Sequence, residues 1–303
     1  MALLLCLACL GPAKASEVDA GIAAMQAGDY EQARALLATP AEAGDARAQH
    51  FLAMNYHYGW GGQADKAKAL GLFKASAEAG SARSQAMLGA IYAAGDGVAP
   101  SGEKAVRWYE AAAAAGMPSA AHNLGAIYNE GRLVEKDATR AAIWTEKAAE
   151  AGLARSQFNL GLAYARGIGV EKDDAAAGQW LLKAAQQGLP AAQAELGWMY
   201  ALGRGLDQST SEAVYWHAAA ARQGYEQAIE DIRTFLENLG EYRVDRSVID
   251  IYPGPDQSKA SIGQFHQGDR VYLLHAAKGW AEVYHSASHL TGFIDKAALK
   301  RLE

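Results

Sequence analysis

Cysteine is almost absent from this chain. The only two cysteines among the 303 residues are Cys6 and Cys9, and both lie within the first ten positions. Loss of that stretch from the mature protein would leave no thiol, no disulfide and no cysteine metal ligand. We therefore expect packing alone to stabilise the fold.

Long apolar runs are also missing. The only candidate, Ala2–Leu10 (ALLLCLACL), is far shorter than the roughly 20 residues of a spanning helix, so no membrane span is expected. It is followed by Pro12 and Ala13-Lys14-Ala15, and an apolar run that ends in small residues is typical of a secretory signal peptide. The sequence predicts a signal peptide at 1–15, cleavage after Ala15 and a periplasmic or secreted protein without lipidation.

Basic residues are outnumbered by acidic ones. The chain has 28 lysines and arginines against 34 aspartates and glutamates, a net charge of −6. An acidic surface repels phosphate backbones, so we expect no nucleic-acid partner.

Catalytic signatures are lacking as well. No H-E-x-x-H, G-x-S-x-G or Walker sequence occurs, so we expect neither catalysis nor a cofactor. Four of the eight histidines crowd the C-terminal part, at His266, His275, His285 and His289. The segment H-S-A-S-H has no neighbouring carboxylate and is typical of a solvated loop, so no metal site is expected.

What the chain does contain is a repeat that keeps an invariant spacing of 36 residues. The repeated positions are Leu52, Leu88, Leu124, Leu160 and Leu196; Tyr56, Tyr92, Tyr128, Tyr164 and Tyr200; and Gly59, Gly95, Gly131, Gly167 and Gly203. A fixed period of 20–50 residues indicates one supersecondary unit stacked into a solenoid.

Each unit begins with a helix of the form A/S-x-x-x-L-G-x-x-Y. Leu124, Gly125 and Tyr128 fall on one helical face, where glycine lets another helix approach closely. G-x-G pairs such as Gly95/Gly97 supply the left-handed conformation of a helix C-terminus. A phosphate-binding loop is not indicated, because no strand precedes them and no Walker lysine follows.

A second helix in each unit places alanine three residues before Leu72, Trp108, Trp144, Trp180 or Trp216. Alanine and the indole share a face, so the tryptophans are expected in the core. A glycine then closes each unit.

The combined pattern resembles the Sel1-like repeat, a relative of the tetratricopeptide repeat. Five units match, at 48–80, 84–116, 120–152, 156–188 and 192–224. Local departures are Ala53 for the helical glycine, Leu133 for the second loop glycine and Leu72 for tryptophan. A shorter tetratricopeptide-type hairpin is expected at 17–44 and a capping helix at 226–240.

Residues 244–302 lose the helical period and show short β-branched and aromatic runs between turn residues. Their order, with Gly268-Asp269, Gly279-Trp280-x-x-Val283 and Gly292-Phe293, resembles a bacterial SH3-type domain. The expected fold class is therefore multi-domain α plus β, a solenoid followed by a small SH3-like β-barrel. The resemblance implies a peptide, cell-wall or protein ligand, for which Tyr252 and Trp280 are the candidate residues. Trp280 is alternatively a core residue.

The row of first-helix positions that points away from the Leu/Tyr face is expected to line a groove. The candidates for partner binding are His50, Met54, His57, Tyr58, His122, Asn129, Glu130, Phe158, Arg166, Trp198 and Leu202. The alternative is that these side chains merely pack adjacent helices.

The function that these features predict is an exported scaffold. Its solenoid would bind an unidentified partner protein and its SH3-like module a second ligand. One alternative is a protein that binds peptidoglycan through residues 244–302. Another is an enzyme acting on wall material, which the lack of cysteine disfavours because the repeat proteins linked to such ligands are cysteine-rich.

Overall fold

The computed structural model describes residues 12–237 and 239–302, so most of the signal-peptide segment expected at 1–15 lies outside the described residues. The helices are α1 (Pro12–Gln26), α2 (Tyr30–Glu42), α3 (Ala46–Tyr58), α4 (Lys66–Glu78), α5 (Ala82–Ala94), α6 (Gly102–Ala114), α7 (Pro118–Glu130), α8 (Ala138–Glu150), α9 (Ala154–Arg166), α10 (Asp174–Gln186), α11 (Pro190–Leu202), α12 (Thr210–Ala221) and α13 (Glu226–Leu236). The strands are β1 (Glu241–Val244), β2 (Val248–Ile251), β3 (Gly263–His266), β4 (Arg270–Ala277), β5 (Trp280–His285), β6 (Leu290–Asp295) and β7 (Leu299–Arg301), with a 3₁₀ helix at Lys296–Ala298. Within this described part, no helix has the length and apolar character needed to cross a membrane.

The chain divides into two compact units between Ala148 and Ala149, near the end of α8. The first contains α1–α7 and most of α8, and the second contains α9–α13 and the strands. Successive helices pack as hairpins within each unit, as the 36-residue period predicted.

Helix ends are fixed by residues that recur with the period. The second helices begin where a side chain accepts a backbone N–H, at Asp65, Ser101, Asp137, Asp173 and Ser209. The first helices end at glycines with φ between 63° and 72°, at Gly59, Gly95, Gly131, Gly167 and Gly203. Both features satisfy backbone groups that a helix end would leave unpaired, and the glycines confirm the predicted C-caps.

The repeated leucines form the core as predicted, but the tryptophans do not. Leu88, Leu124, Leu160 and Leu196 are fully buried, whereas Trp108, Trp144, Trp180 and Trp216 are only half-buried. Lysines lie over two of the indoles, Lys147 over Trp144 and Lys183 over Trp180. These tryptophans therefore belong to the edge of the core.

The residue after the tryptophan is buried at Tyr109, Leu181 and His217 and half-buried at Thr145. Its side chain contacts the glycine inside the first helix of the same repeat, in the pairs Tyr109–Gly89, Thr145–Gly125, Leu181–Gly161 and His217–Gly197. A Cβ on any of these glycines would lie 2.1–2.7 Å from its partner. The recurring glycine thus makes room for a side chain of the second helix.

The strands form a five-stranded antiparallel sheet, ordered β6-β5-β4-β1-β7, and a two-stranded ribbon of β2 and β3. Among the described strands no pairing joins the edges β6 and β7, so the predicted barrel does not close. The sheet packs on α12 and α13, where Tyr284 shares a core cluster with Val214 and Ile232. The last hairpin of the second unit is therefore covered by the sheet.

Candidate functional site

The candidate residues on α3 fall into a buried part and an exposed part. His50 is 8% exposed, and its Nδ1 lies 2.8 Å from Ser84 Oγ, which in turn donates to Ser76 Oγ at 2.7 Å. Burial, with the nearby Arg83 cation, lowers the pKa of His50 from 6.5 to about 4. His50 is therefore neutral near pH 7 and joins neighbouring helices through its hydrogen bond.

The other three candidates of α3 lie in the C-terminal half of the helix. Met54 is half-buried against the core, and His57 Nε2 lies 3.0 Å from Asp96 Oδ2. Asp96 also pairs with Lys66, whose hydrogen bond is the main reason why the pKa of Asp96 is lowered. Tyr58 remains 50% exposed.

Tyr58 belongs to a stack of three aromatic rings. Its ring centroid lies 4.7 Å from that of Trp60, which lies 5.1 Å from that of Tyr30, and both pairs are nearly parallel. We call Tyr30, Trp60 and Tyr58 the aromatic stack. Sequence reasoning found only Tyr58. The signal for Trp60 was its break with the period, since the equivalent residues are Asp96, Arg132, Ile168 and Arg204.

Two of the three α7 candidates lie at the C-terminal end of the helix, and the third lies in its first half. Asn129 and Glu130 are exposed, and Glu130 pairs with Arg132 at 2.5 Å. His122 is half-buried and has an interaction partner.

Trp198 is engaged by α13. Its Nε1 donates to Asp231 Oδ2 at 3.0 Å, and its ring meets Phe235 edge-on with centroids 5.1 Å apart. His217 Nε2 lies 3.3 Å from the same carboxylate oxygen, and its Nδ1 lies 2.8 Å from the Ala213 carbonyl oxygen. Burial lowers the pKa of His217, although Asp231 opposes the shift. These contacts fit the alternative in which Trp198 packs adjacent helices.

The other candidates of the second unit differ in exposure. Phe158 is half-buried against the core cluster of α10 and α11, whereas Leu202 is 58% exposed and Arg166 is also exposed. Leu202 occupies the same repeat position as Tyr58.

The two candidate residues of the C-terminal sheet come together. The rings of Tyr252 and Trp280 meet edge-on, with centroids 5.8 Å apart. Trp280 lines a cavity of about 350 Å³ whose other walls are Pro255, His275, Ala277, Lys278 and Phe293. Small-molecule and peptide sites commonly have this size and this mixture of aromatic walls with a few polar groups. We call it the sheet pocket.

Two of the four C-terminal histidines contact neighbouring side chains. His285 Nδ1 lies 2.7 Å from Ser288 Oγ, and His289 Nδ1 lies 2.7 Å from Tyr284 OH. In the part of the chain that the structure describes, no group of three or more potential metal ligands occurs.

Comparison with known proteins identifies the repeat family of the helical part of the chain. The Sel1 repeat model matches five consecutive stretches, 46–81, 82–117, 118–153, 154–189 and 190–225, which confirms the five repeats. One similar solved structure is that of c5321, a protective antigen present in uropathogenic Escherichia coli strains. Its sequence is 32% identical to this chain, and the two structures align with a TM-score of 0.70. That alignment covers 74% of this chain but 49% of c5321, so this chain spans about half of that protein. A Sel1 repeat protein from Oxalobacter formigenes is also 32% identical, covering 71% of this chain and 88% of its own, with a TM-score of 0.65. A search of curated protein sequences gave no significant match.

Proposed function

Because the chain belongs to the Sel1 repeat family, we propose that it is a scaffold that binds partner proteins and performs no catalysis of its own. Sel1-repeat proteins are typically scaffolds for protein–protein interaction. The repeats supply the platform, and the side chains that break the repeat supply specificity.

The aromatic stack is the observation that carries this proposal. Tyr58 keeps half of its surface in water although it is a large aromatic residue, and Trp60 fixes its orientation by stacking. Tyrosine and tryptophan are enriched among the residues that dominate binding energy in protein interfaces. A rigid aromatic group also loses little conformational entropy when a partner covers it.

The test is affinity capture from a cell-envelope extract, followed by direct binding measurements with each captured partner. We expect Tyr58→Ala with Trp60→Ala to weaken binding at least about tenfold, as the loss of an interface hot spot does. Tyr225→Ala is the matched control, because Tyr225 is also an exposed tyrosine but lies outside the stack. Equal affinity of the double variant and the control for every partner would refute the role of the stack.

We further propose that the scaffold is exported and acts in the cell envelope. The apolar run at 2–10 and the small residues before Ser16 support export, as does the description of c5321 as a protective antigen. Mass spectrometry of the mature protein from fractionated cells is expected to find Ser16 as the first residue in the periplasmic fraction. A full-length chain in the cytoplasm would rule the export proposal out.

The C-terminal sheet is proposed to act as an SH3-type module with its own ligand. The sheet pocket supports this role, because Trp280, Phe293 and Pro255 offer apolar walls beside the charged Lys278. Peptidoglycan is the alternative ligand to a peptide. Sedimentation of the full chain with purified sacculi separates the two, with Trp280→Ala compared against Val248→Ala, an exposed residue of β2 outside the pocket. Peptidoglycan binding would require the wild type to sediment and Trp280→Ala to stay in solution.

A further inference from the structure

A cleft of about 700 Å³ lies in the first unit, and none of the candidate residues of α3 lines it. One wall is the face of α6 that carries Glu103, Arg107 and Glu110, and the other is the loop between α7 and α8. Its floor is apolar, since it includes Val106, Leu133 and Val134, all of which pack against the core. The cleft falls within the size range of ligand-binding sites.

The charged groups around this cleft are mostly unpaired. Within the described residues, no ion pair within 4.0 Å involves Glu103, Glu110 or Glu135, and none involves Arg107 or Lys136. By contrast, the lining residues Asp137 and Arg140 pair with each other at 3.3 Å. Three carboxylates thus outnumber two cations among the groups free to pair with a ligand.

The charges of α6 do not follow from the repeat. Glu103, Arg107 and Glu110 lie on one helix face, at i, i+4 and i+7. One repeat earlier the equivalent residues are Ala67, Gly71 and Lys74; in later repeats they are Thr139, Ile143 and Glu146, then Ala175, Gln179 and Leu182. Leu133 likewise replaces a glycine of the other loops. This cleft, which we call the α6 cleft, is therefore chemically distinct from the equivalent places in the other repeats although the backbone repeats.

In the second unit, the equivalent face of α12 is already used for docking. Ser211, three repeats after Glu103, lies near Glu282 of β5, and Arg222 Nη1 donates to the His289 carbonyl oxygen near β6 at 3.3 Å. Three strands of the sheet contact α12. This face of a second helix can thus pack against strands.

We propose that the α6 cleft binds an extended segment of a partner protein that carries lysine or arginine on both sides of an apolar residue. The apolar side chain covers Val106, Leu133 and Val134. The basic side chains pair with Glu103 and Glu110, which lie about 10 Å apart along the helix at 1.5 Å per residue. Charge complementarity selects this partner over an acidic one, because the unpaired carboxylates are in excess.

The test uses the full chain and three short probes in ¹⁵N–¹H correlation spectra. The probe acetyl-Lys-Ala-Leu-Ala-Lys-amide is expected to shift amides of residues 103–110 and 133–140. The probe with serine in place of leucine tests the apolar contact, and the probe with glutamate in place of both lysines tests the charge. Both are expected to bind more weakly than the first probe.

Two variants locate the site. Glu103→Ala with Glu110→Ala is expected to weaken binding of the basic probe about fivefold, the loss of two exposed ion pairs. Glu78→Ala, an exposed glutamate at the end of α4, is the matched control and should leave the affinity unchanged. Melting curves confirm that each variant is folded. The proposal is overturned if no probe shifts the cleft amides at millimolar concentration, if the acidic probe binds as tightly, or if the control weakens binding equally.

Discussion

At the scale of single residues, Gly197 shows why a helical glycine recurs in the repeat. A Cβ at this position would lie 2.1 Å from His217 Nδ1, and that ring is fully buried. Gly197→Ala is therefore expected to lower the free energy of unfolding by about 2 kcal/mol, although alanine favours the helix by about 1 kcal/mol. Urea unfolding followed by circular dichroism measures the change.

Gly71 provides the matched control for Gly197. It also lies inside a helix, but a Cβ there would meet nothing within 4 Å. Gly71→Ala is expected to raise the free energy of unfolding by about 0.5–1 kcal/mol through helix propensity alone. Opposite signs for the two substitutions support the packing explanation, and equal signs contradict it.

Trp198 and Trp216 form a second matched pair. The Trp198 indole donates to Asp231, which is 8% exposed, whereas the Trp216 indole donates to the exposed Glu212 at 3.1 Å. Trp198→Phe leaves a buried carboxylate short of one donor, which costs about 1–3 kcal/mol. Trp216→Phe should cost less than about 0.5 kcal/mol. Thermal unfolding of both variants tests the difference, and equal losses would show that indole volume matters more than the hydrogen bond.

His50 makes the stability of the first unit depend on pH. Its pKa of about 4 in the folded chain lies below the ordinary 6.5, so the unfolded chain binds a proton more readily. The stabilisation is complete above pH 6.5 and is lost as the pH falls towards 4, by at most about 3 kcal/mol. His50→Gln should remove this dependence. The measured quantity is the difference in free energy of unfolding between wild type and His50→Gln, and a constant difference from pH 7 to 4 would disprove the prediction.

At the scale of elements, glutamines near the start of the first helices join them to the preceding helix. Gln49, Gln85, Gln157 and Gln193 each donate to a carbonyl oxygen eight residues earlier. Gln193→Met keeps the volume but leaves the buried Ala185 carbonyl without this donor, which should cost about 1–2 kcal/mol. Gln208→Met is the control, because its bond to the Ala201 carbonyl oxygen is exposed. Comparable losses in urea unfolding for both variants would argue against these links.

Contacts that recur in every repeat could be predicted from the sequence, whereas contacts that occur only once in the chain could not. Leu124 and Tyr128 are buried as the period predicted, because every repeat packs on a copy of itself. The contact of Trp198 with α13 was not predictable, since α13 lacks the L-G-x-x-Y signature and Trp198 itself has no aromatic equivalent in the other repeats. Of the two residues predicted in the sheet, Trp280 lines the sheet pocket and Tyr252 contacts the Trp280 ring without lining the pocket, whereas the lining residue His275 was missed. The pairing of β4 with β5 shifts register between Leu273 and His275, so strict alternation fails to assign its face.

At the scale of the whole molecule, the chain combines a repeated platform with surfaces that occur once. The aromatic stack, the α6 cleft and the sheet pocket all depend on residues that break the 36-residue pattern or lie beyond it. Three such surfaces suit a scaffold that holds different ligands on one chain. They also make the proposals separable, because Trp60, Glu103 and Trp280 can each be replaced without touching the other two surfaces.

Removal of the C-terminal sheet tests whether it stabilises the helices that it covers. Deletion of residues 240–303 exposes the apolar surface of Val214 and Ile232 that Tyr284 covers. Burial of one large side chain is worth about 1.5–3 kcal/mol, so amide hydrogen exchange in α12 and α13 should accelerate about tenfold or more. Exchange in α3–α6 should remain unchanged, because a repeat contacts only its neighbours. Size-exclusion chromatography of the truncated chain checks that it stays monomeric, because self-association would also slow amide exchange. Unchanged exchange in α12, or equal acceleration in α3–α6, would show that the sheet does not act as a local cap.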